Sequence, residues 1–527
     1  MKNYRYEYII SNGTRLFTAI LLPEETGKFP VVLIRVPYVD YFENTDEEDI
    51  VLSYMNDYSK WLRNGYAIII QHCRGRGKSD GDCIPYINER EDGLALQAWV
   101  RNQDFYNGEI FLKGRSYCSS VHYATAPFAE DIKGAVFGAQ DCERYNICYR
   151  NGFFKIGLHG DWYTGMYKKK SHIKQNYTRK TFNTLPLSDF TKIVFGEPVE
   201  DFDRLLKSPN RDNEFWNTRF GGSDARDAVK DVNFPILFTT SFYDLYTGGV
   251  FDMWNGLDTK TRSMAALVVS PYDHGDWCDE ENSIVFTDVD GNRNGRITEK
   301  FGDDYEIEWF NHIRNSKNKS PVEAGKITYY RLFENVWKTD EFKESPDDME
   351  IKLGTDEVTY VYNPYDAPEF KGGLSCNFDG AVFQDKPYLR NDIITVYTKP
   401  FEKDIFVKGK MYAKLKVKSD CEDTCFYMRI SITKEQGDFG LRDDITSLCY
   451  QLGDYTPNSE VLIDFNFDEH SFLIKKGEKL RIDIASANAN YYVRHTNNKG
   501  LYSEQTTAKI ANNTVFLQDS ILTLPIE

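Results

Sequence analysis

Short apolar runs alternate with longer amphipathic stretches through the first third of the chain. PVVLIRVPY (30–38), YAIIIQHCRG (66–75) and EIFLKG (109–114) have the length and β-branched content of buried strands. A helical pattern lies between the last two, at 89–103, and another opens at Ser116. Runs apolar on both faces and separated by helices predict parallel strands with helices covering both sides of the sheet. PILFTTSFYD (235–244) and AALVVSPYDH (265–274) resume this rhythm after a gap. The gap, 144–231, is aromatic, basic and irregular, without a sustained period of two, and predicts a mainly helical insertion. It leaves and re-enters between strands whose following loops share one sheet edge, so it is expected to cap that edge.

From about 335 the helical period fades. VTYVYN, ITVYTK, MYAKLKVK, CFYMRISI, VLIDFNF and KLRIDIA follow one another between turn-rich segments such as KEQGD and KKGEK, the pattern of a β-sandwich. The polar segment 338–350 is the expected junction. The pattern therefore divides the 527 residues into an α/β sheet in two parts (1–143 and 232–335), a helical cap (144–231) and a β-sandwich (336–527).

Composition narrows the function. Aromatic residues make up 15% of the chain, enough apolar surface for folded cores. A net charge of −17 argues against nucleic acid, and the short cluster Lys168, Lys169, Lys170 reads as a solvated face. No leader-like apolar segment opens the chain and VVLI and YAIII are too short to cross a bilayer, so a cytoplasmic protein without membrane contact is expected. The ten cysteines include no C-x-x-C pair, and the histidines lack metal-like spacing, so reduced thiols, no metal and no cofactor are expected. Asp288 to Asn294 has the alternating oxygen side chains of a calcium loop, but the twelfth position counted from Asp290 is Phe301; an Asx-rich hairpin is favoured.

Gly114-Arg115-Ser116-Tyr117 follows an apolar strand and opens a helix, the setting in which G-x-S forms a nucleophile elbow. The string alone is weak, because Cys118 stands where a second glycine is common. Two later strand ends supply an acid and a base in the chain order this architecture uses, Asp244 and then His274. Singly, Asp244 reads equally well as a helix cap and His274 as a loop histidine; three such residues at carboxyl ends of strands favour a catalytic triad. Tyr38, after the first run, would lie over the same edge as a donor to a tetrahedral oxyanion, beside the Tyr117 backbone N–H. On the residues alone, packing is the commoner role for such a tyrosine. Phe153, Phe154, Trp162 and Tyr163 are candidates to line an acyl pocket, and His159 is expected in a surface loop.

RVPY (35–38), QHCRGRGKSDG (71–81), the stretch 89–117, SFYD (241–244), SPYDH (270–274) and the sandwich segment 472–490 resemble the cocaine-esterase and X-Pro dipeptidyl-peptidase (CocE/NonD) family of serine hydrolases. The resemblance covers nearly the whole chain. It implies an α/β-hydrolase with a helical cap and a C-terminal jelly-roll domain, the roles just given to Ser116, Asp244, His274, Tyr38 and the Tyr117 amide, and a homodimer. His72 and Ser119 stand where the family commonly has Asp and Gly. Relatives that bind an α-amino group carry carboxylates two and three residues after the catalytic Asp; here those positions are Tyr246 and Thr247, and the cap around Asn146 to Asn151 lacks their paired Asp. An ammonium subsite is therefore not expected. The dipeptidyl peptidases typically begin with a long helical domain, whereas this chain opens on hydrolase strands, which makes a peptidase the lesser expectation. The expected function is hydrolysis of a small-molecule ester or amide through an acyl-Ser116 intermediate. An acyltransferase using the same triad is an alternative the sequence does not separate, and the intact order Ser, Asp, His stands against a non-catalytic module.

Overall fold

A computed structural model describes residues 3–167, 181, 183–217, 228–277, 280–288, 290–343, 347–374, 380–386 and 389–527. Ten strands form one sheet in the order β1-β2-β4-β3-β5-β6-β9-β10-β11-β12. The early runs become β3 (Phe29–Val36), β4 (Ala67–His72) and β5 (Tyr106–Arg115); the later ones become β9 (Ile236–Tyr243) and β10 (Ala266–Asp273). With β6 (Ile132–Gly138) and β11 (Ile327–Arg331) they pair in parallel from β4 to β11. All residues of β4, β9 and β10 are buried, as a sheet with helices on both faces requires.

Antiparallel strands close both ends of this sheet. β1 (Tyr4–Ser11) and β2 (Thr14–Leu21) form a hairpin turned by Asn12 and Gly13, both with positive φ, the geometry of a type I′ turn. β12 (Val336–Asp340) pairs with β11 at the far edge, so the large sheet runs on to Asp340 and not to 335. β3 lies between β4 and β5, so the strand order reverses there. In open α/β sheets ligands bind outside the carboxyl ends of the strands at such a switch point. Tyr38 and Ser116 lie just beyond the carboxyl ends of β3 and β5.

The cap leaves after β6 and returns before β9. It is not purely helical: a hairpin of β7 (Tyr149–Arg150) and β8 (Phe153–Phe154) and a π-turn at Ile156–Gly160 precede its helix Asp161–Met166. Its described helices are short, seven residues at most, and are held by an aromatic core in which Tyr167 stacks on Phe202 at 5.2 Å. Arg144 is buried in that core among Tyr86, Tyr163, Phe215 and Trp216, which suits a planar cation over aromatic faces. Residues 168–180, 182 and 218–227 of the expected cap, Lys168 to Lys170 among them, lie outside the described residues.

The C-terminal part consists of a seven-stranded and a four-stranded antiparallel sheet. The sixteen-residue strand Ala511–Ile526 pairs with four others and organises the larger one. The alternating burial of Tyr412–Ser419 marks a strand with one face in the core. This is the jelly-roll partner of an α/β-hydrolase, the fold class expected from the chain. Among the described residues no helix is long and apolar enough to cross a membrane.

Candidate active site

Ser116 sits between β5 and the helix Tyr117–Tyr123 with φ 57° and ψ −137°, a conformation that L-residues avoid unless the surroundings impose it. Three contacts impose it. The Ser116 N–H donates to the Gly138 carbonyl at 2.8 Å, and the Ser116 carbonyl accepts from the Ser119 N–H at 2.8 Å. A Cβ at position 114 would come within 2.1 Å of the Cys118 carbonyl oxygen, so only glycine permits the turn. The Ser119 hydroxyl donates to the Gly114 carbonyl at 2.7 Å and accepts from the Gly138 N–H at 3.0 Å, tying the elbow to β6.

Asp244 and His274 end neighbouring strands and meet. His274 Nδ1 lies 3.0 Å from Asp244 Oδ1, with Asp244 fully buried and His274 partly open. Asp244 is anchored by the Tyr246 N–H at 2.9 Å and the Thr240 hydroxyl at 3.3 Å. Burial pushes the Asp244 carboxyl up; the His274 charge and hydrogen bond, Arg115 and the Tyr246 amide together outweigh it and hold the group below the usual carboxylate range. Arg115, next to Ser116, donates through Nε to the His274 carbonyl at 3.2 Å and through Nη2 to the same oxygen, so the guanidinium clamps the histidine loop to the elbow. Ser116 Oγ makes no hydrogen bond to a described residue; the link from Ser116 to His274 is not closed in this structure, as is common before substrate binds.

The Tyr117 N–H is the first amide of its helix and belongs to the set that no helix satisfies internally. Its side chain points the other way, where Tyr117 Oη donates to buried Glu89 at 2.5 Å and accepts from the Tyr86 N–H at 2.9 Å. Burial raises the Glu89 carboxyl despite the Tyr117 hydrogen bond and the Arg35 charge. Tyr38 is 39% exposed, and its hydroxyl accepts from Trp162 Nε1 at 3.1 Å.

Of the four candidate pocket residues, Trp162 reaches this cluster: its ring lies 5.3 Å from Tyr117 and 5.8 Å from Tyr86. The other three are buried in packing: Phe153 on His495 of the sandwich, Phe154 on Tyr149 and Phe202, and Tyr163 on Trp162 at 4.9 Å, with its hydroxyl 3.0 Å from Cys148 Sγ. His159 is not in a surface loop but 3% exposed, and burial, with Lys155 and His274, keeps its imidazole well below its ordinary pKa. The clamping role of Arg115 and the Glu89 support of Tyr117 carry no local sequence signal, because both depend on partners far along the chain. His72 is structural: its ring nitrogens meet Tyr54 Oη at 2.9 Å and the Lys78 N–H at 3.2 Å. In the Asp288 loop, Asp288 Oδ1 accepts from the Asp290 and Asn292 amides, each at 2.9 Å, in an Asx-type turn; residue 289 lies outside the described residues.

With this geometry in hand, comparison with known proteins gives a consistent result. Residues 12–276 match the family model of the X-Pro dipeptidyl-peptidase (S15 family), and residues 354–520 match the X-Pro dipeptidyl-peptidase C-terminal non-catalytic domain. A cocaine esterase from Rhodococcus sp. (strain MB1 Bresler) is 22% identical, with 94% of this chain and 92% of the relative covered. Among solved structures, an α-amino acid ester hydrolase superposes with a TM-score of 0.81 at 17% identity, covering 100% of this chain and 97% of the other. An aminopeptidase from a marine-sediment Thaumarchaeota archaeon gives 0.82 at 16%, over 100% and 96%. A CocE/NonD family hydrolase from Staphylococcus aureus gives 0.67 at 14%, over 100% and 93%. At these identities the superpositions speak for the fold, and the family model, which spans half of the chain, speaks for descent: the chain belongs to the X-Pro dipeptidyl-peptidase (S15) family of serine hydrolases.

Proposed function

We propose that this serine hydrolase cleaves its ester or amide bond through an acyl-Ser116 intermediate. Ser116 Oγ attacks the carbonyl while His274 Nε2 takes its proton; Asp244 holds Nδ1 protonated and stabilises the imidazolium. The tetrahedral oxyanion is met by the Tyr117 N–H and the Tyr38 hydroxyl, each contributing on the order of 2–4 kcal/mol to lowering the barrier. His274 then returns the proton to the leaving group, and water, activated by the same imidazole, releases the acid. The observation that carries this reading is the 3.0 Å pair of His274 and buried Asp244, clamped through Arg115 to the strained turn that holds Ser116.

The substrate is proposed to be a small ester or amide without an α-ammonium group. Position 246 supports this: its tyrosine ring lies 5.5 Å from the His274 ring and offers an aromatic edge there, not a carboxylate. Position 247 supports it too, because the Thr247 hydroxyl is spent on the carbonyls of Ser241 and Asp244. A cytoplasmic location is part of the proposal, and the eight described cysteines, all free thiols, agree with it. The test is turnover of a panel of p-nitrophenyl esters and amino-acid p-nitroanilides by wild type and Ser116→Ala. Wild type is expected to favour apolar acyl esters, and the variant to lose turnover by at least about 10³-fold. Burst-phase activity surviving in Ser116→Ala would sink the mechanism.

A further inference from the structure

One cap residue touches both residues that supply the oxyanion donors. Trp162 donates its indole N–H to the Tyr38 hydroxyl at 3.1 Å, and its ring meets the Tyr117 ring edge-to-face at 5.3 Å and 79°. We propose that Trp162 is a positioning residue for the oxyanion hole, setting the direction of the Tyr38 hydroxyl proton. The inference rests on the oxyanion role proposed above for Tyr38.

The chemistry follows from the donor inventory. An indole nitrogen donates and cannot accept, so at this contact the phenol oxygen is the acceptor and its own proton points elsewhere. A phenolic O–H prefers the plane of its ring, which leaves two orientations; the indole N–H occupies one sector, and the proton takes the other. When the tetrahedral intermediate forms, its oxygen becomes the acceptor for that proton. A hydroxyl that already accepts a hydrogen bond is polarised and donates more strongly, by about 10–30% per bond. Tyr38 is 39% exposed at a strand-end loop, and the contact from the cap favours one of its two orientations.

Trp162 is itself held firmly enough for the task. Its ring packs edge-to-face on Tyr163 at 4.9 Å and against Tyr86 at 5.8 Å and His159 at 6.0 Å. Tyr86 in turn binds the Tyr117 hydroxyl through its N–H, and Tyr117 is anchored on Glu89. The cap helix Asp161–Met166 thereby reaches both the side-chain donor and the residue that carries the backbone donor. The hole is complete only with the cap in place, so the cap does more than line the acyl pocket.

Trp162→Phe keeps an aromatic ring and deletes the N–H. The expected result is a fall in kcat of roughly tenfold with KM for the same ester within about twofold, and a matching rise in Ki for phenylboronic acid, whose tetrahedral adduct also fills the oxyanion hole. Tyr38→Phe alone should lower kcat by about 10²–10³-fold, and Trp162→Phe should cause no further loss in that background. Equal losses from Trp162→Phe in the presence and absence of the Tyr38 hydroxyl, or a change confined to KM, would overturn the proposal and leave Trp162 a pocket wall. Full activity in Tyr38→Phe would instead overturn the oxyanion role of Tyr38, and turnover by Ser116→Ala the nucleophile; the three failures are told apart by which variant is silent.

Discussion

The Asp244 carboxylate is fully buried and meets His274 Nδ1 at 3.0 Å. Its hydrogen bonds and the nearby Arg115 nevertheless hold its pKa below the usual range, so it is ionised throughout the neutral region. The sign follows: a depressed carboxyl contributes stability above its unfolded pKa of about 3.9 and loses it as pH falls through the folded value. An activity loss nearer neutrality therefore does not report on Asp244. Asp244→Asn should fold and melt close to wild type yet lose about 10⁴-fold in kcat, because the amide favours the wrong imidazole tautomer. Steady-state kinetics beside a thermal melt checks this; a loss of less than tenfold would contradict it. At this scale the placement of Ser116, Asp244 and His274 at strand ends was legible, and so was the meeting of the last two. Inside the cap the packing was not legible, because Phe153 and Phe154 meet partners that the local pattern does not reveal.

The elbow is the element on which the site depends, and Ser119 shows how little slack it has. Its hydroxyl satisfies the Gly114 carbonyl and the Gly138 N–H at once, and it is fully buried. Ser119→Ala leaves both groups without that partner in a space closed to water, at a cost of about 1–3 kcal/mol for each. The variant should show a lower Tm together with reduced turnover, while Ser120→Ala, one position on in the same helix, should affect turnover far less. Equal effects of the two would remove the special role of Ser119. Strands buried on both faces announce themselves as apolar runs, which is why β3, β4, β5, β9 and β10 are readable. β6 is harder to read because Gly134 and Gly138 interrupt it; a Cβ there would come within 2.6 Å of Ile313 and 2.8 Å of Thr239 Oγ1. These glycines serve close approach between elements and weaken the strand signal that marks their neighbours. The β1–β2 hairpin did carry a signal, the Asn12-Gly13 pair between alternating residues.

Across the whole molecule, the sandwich grips both the cap and the strand that leads to Asp244. Arg150 of the cap reaches Asp444 at 2.7 Å and Asp468 at 3.0 Å, and His470 stacks on Phe242 at 4.8 Å, two residues before Asp244. These partners lie more than 200 positions apart in the chain, so no sequence pattern could have joined them, although the sandwich itself was plain from its strands. Between Asp468 and His470 sits Glu469, 5% exposed, whose carboxyl burial pushes up to about 7 in spite of Lys410. A raised carboxyl keeps a proton in the fold that the unfolded chain gives up, so stability falls as pH rises from about 4.5 to 7. The penalty above pH 7 is up to about 3 kcal/mol. Glu469→Gln removes it, and the drop in Tm between pH 5 and pH 8 should be smaller in the variant than in wild type. Parallel pH profiles would show that Glu469 ionises without cost.

The expectations about turnover stand on one covalent bond. Wild-type protein treated with a fluorophosphonate, digested and mapped by mass spectrometry is predicted to carry one adduct on the peptide containing Ser116, lost in Ser116→Ala and slowed in His274→Ala. An adduct on Cys118 or on any residue other than Ser116, or undiminished labelling of Ser116→Ala, would contradict the account.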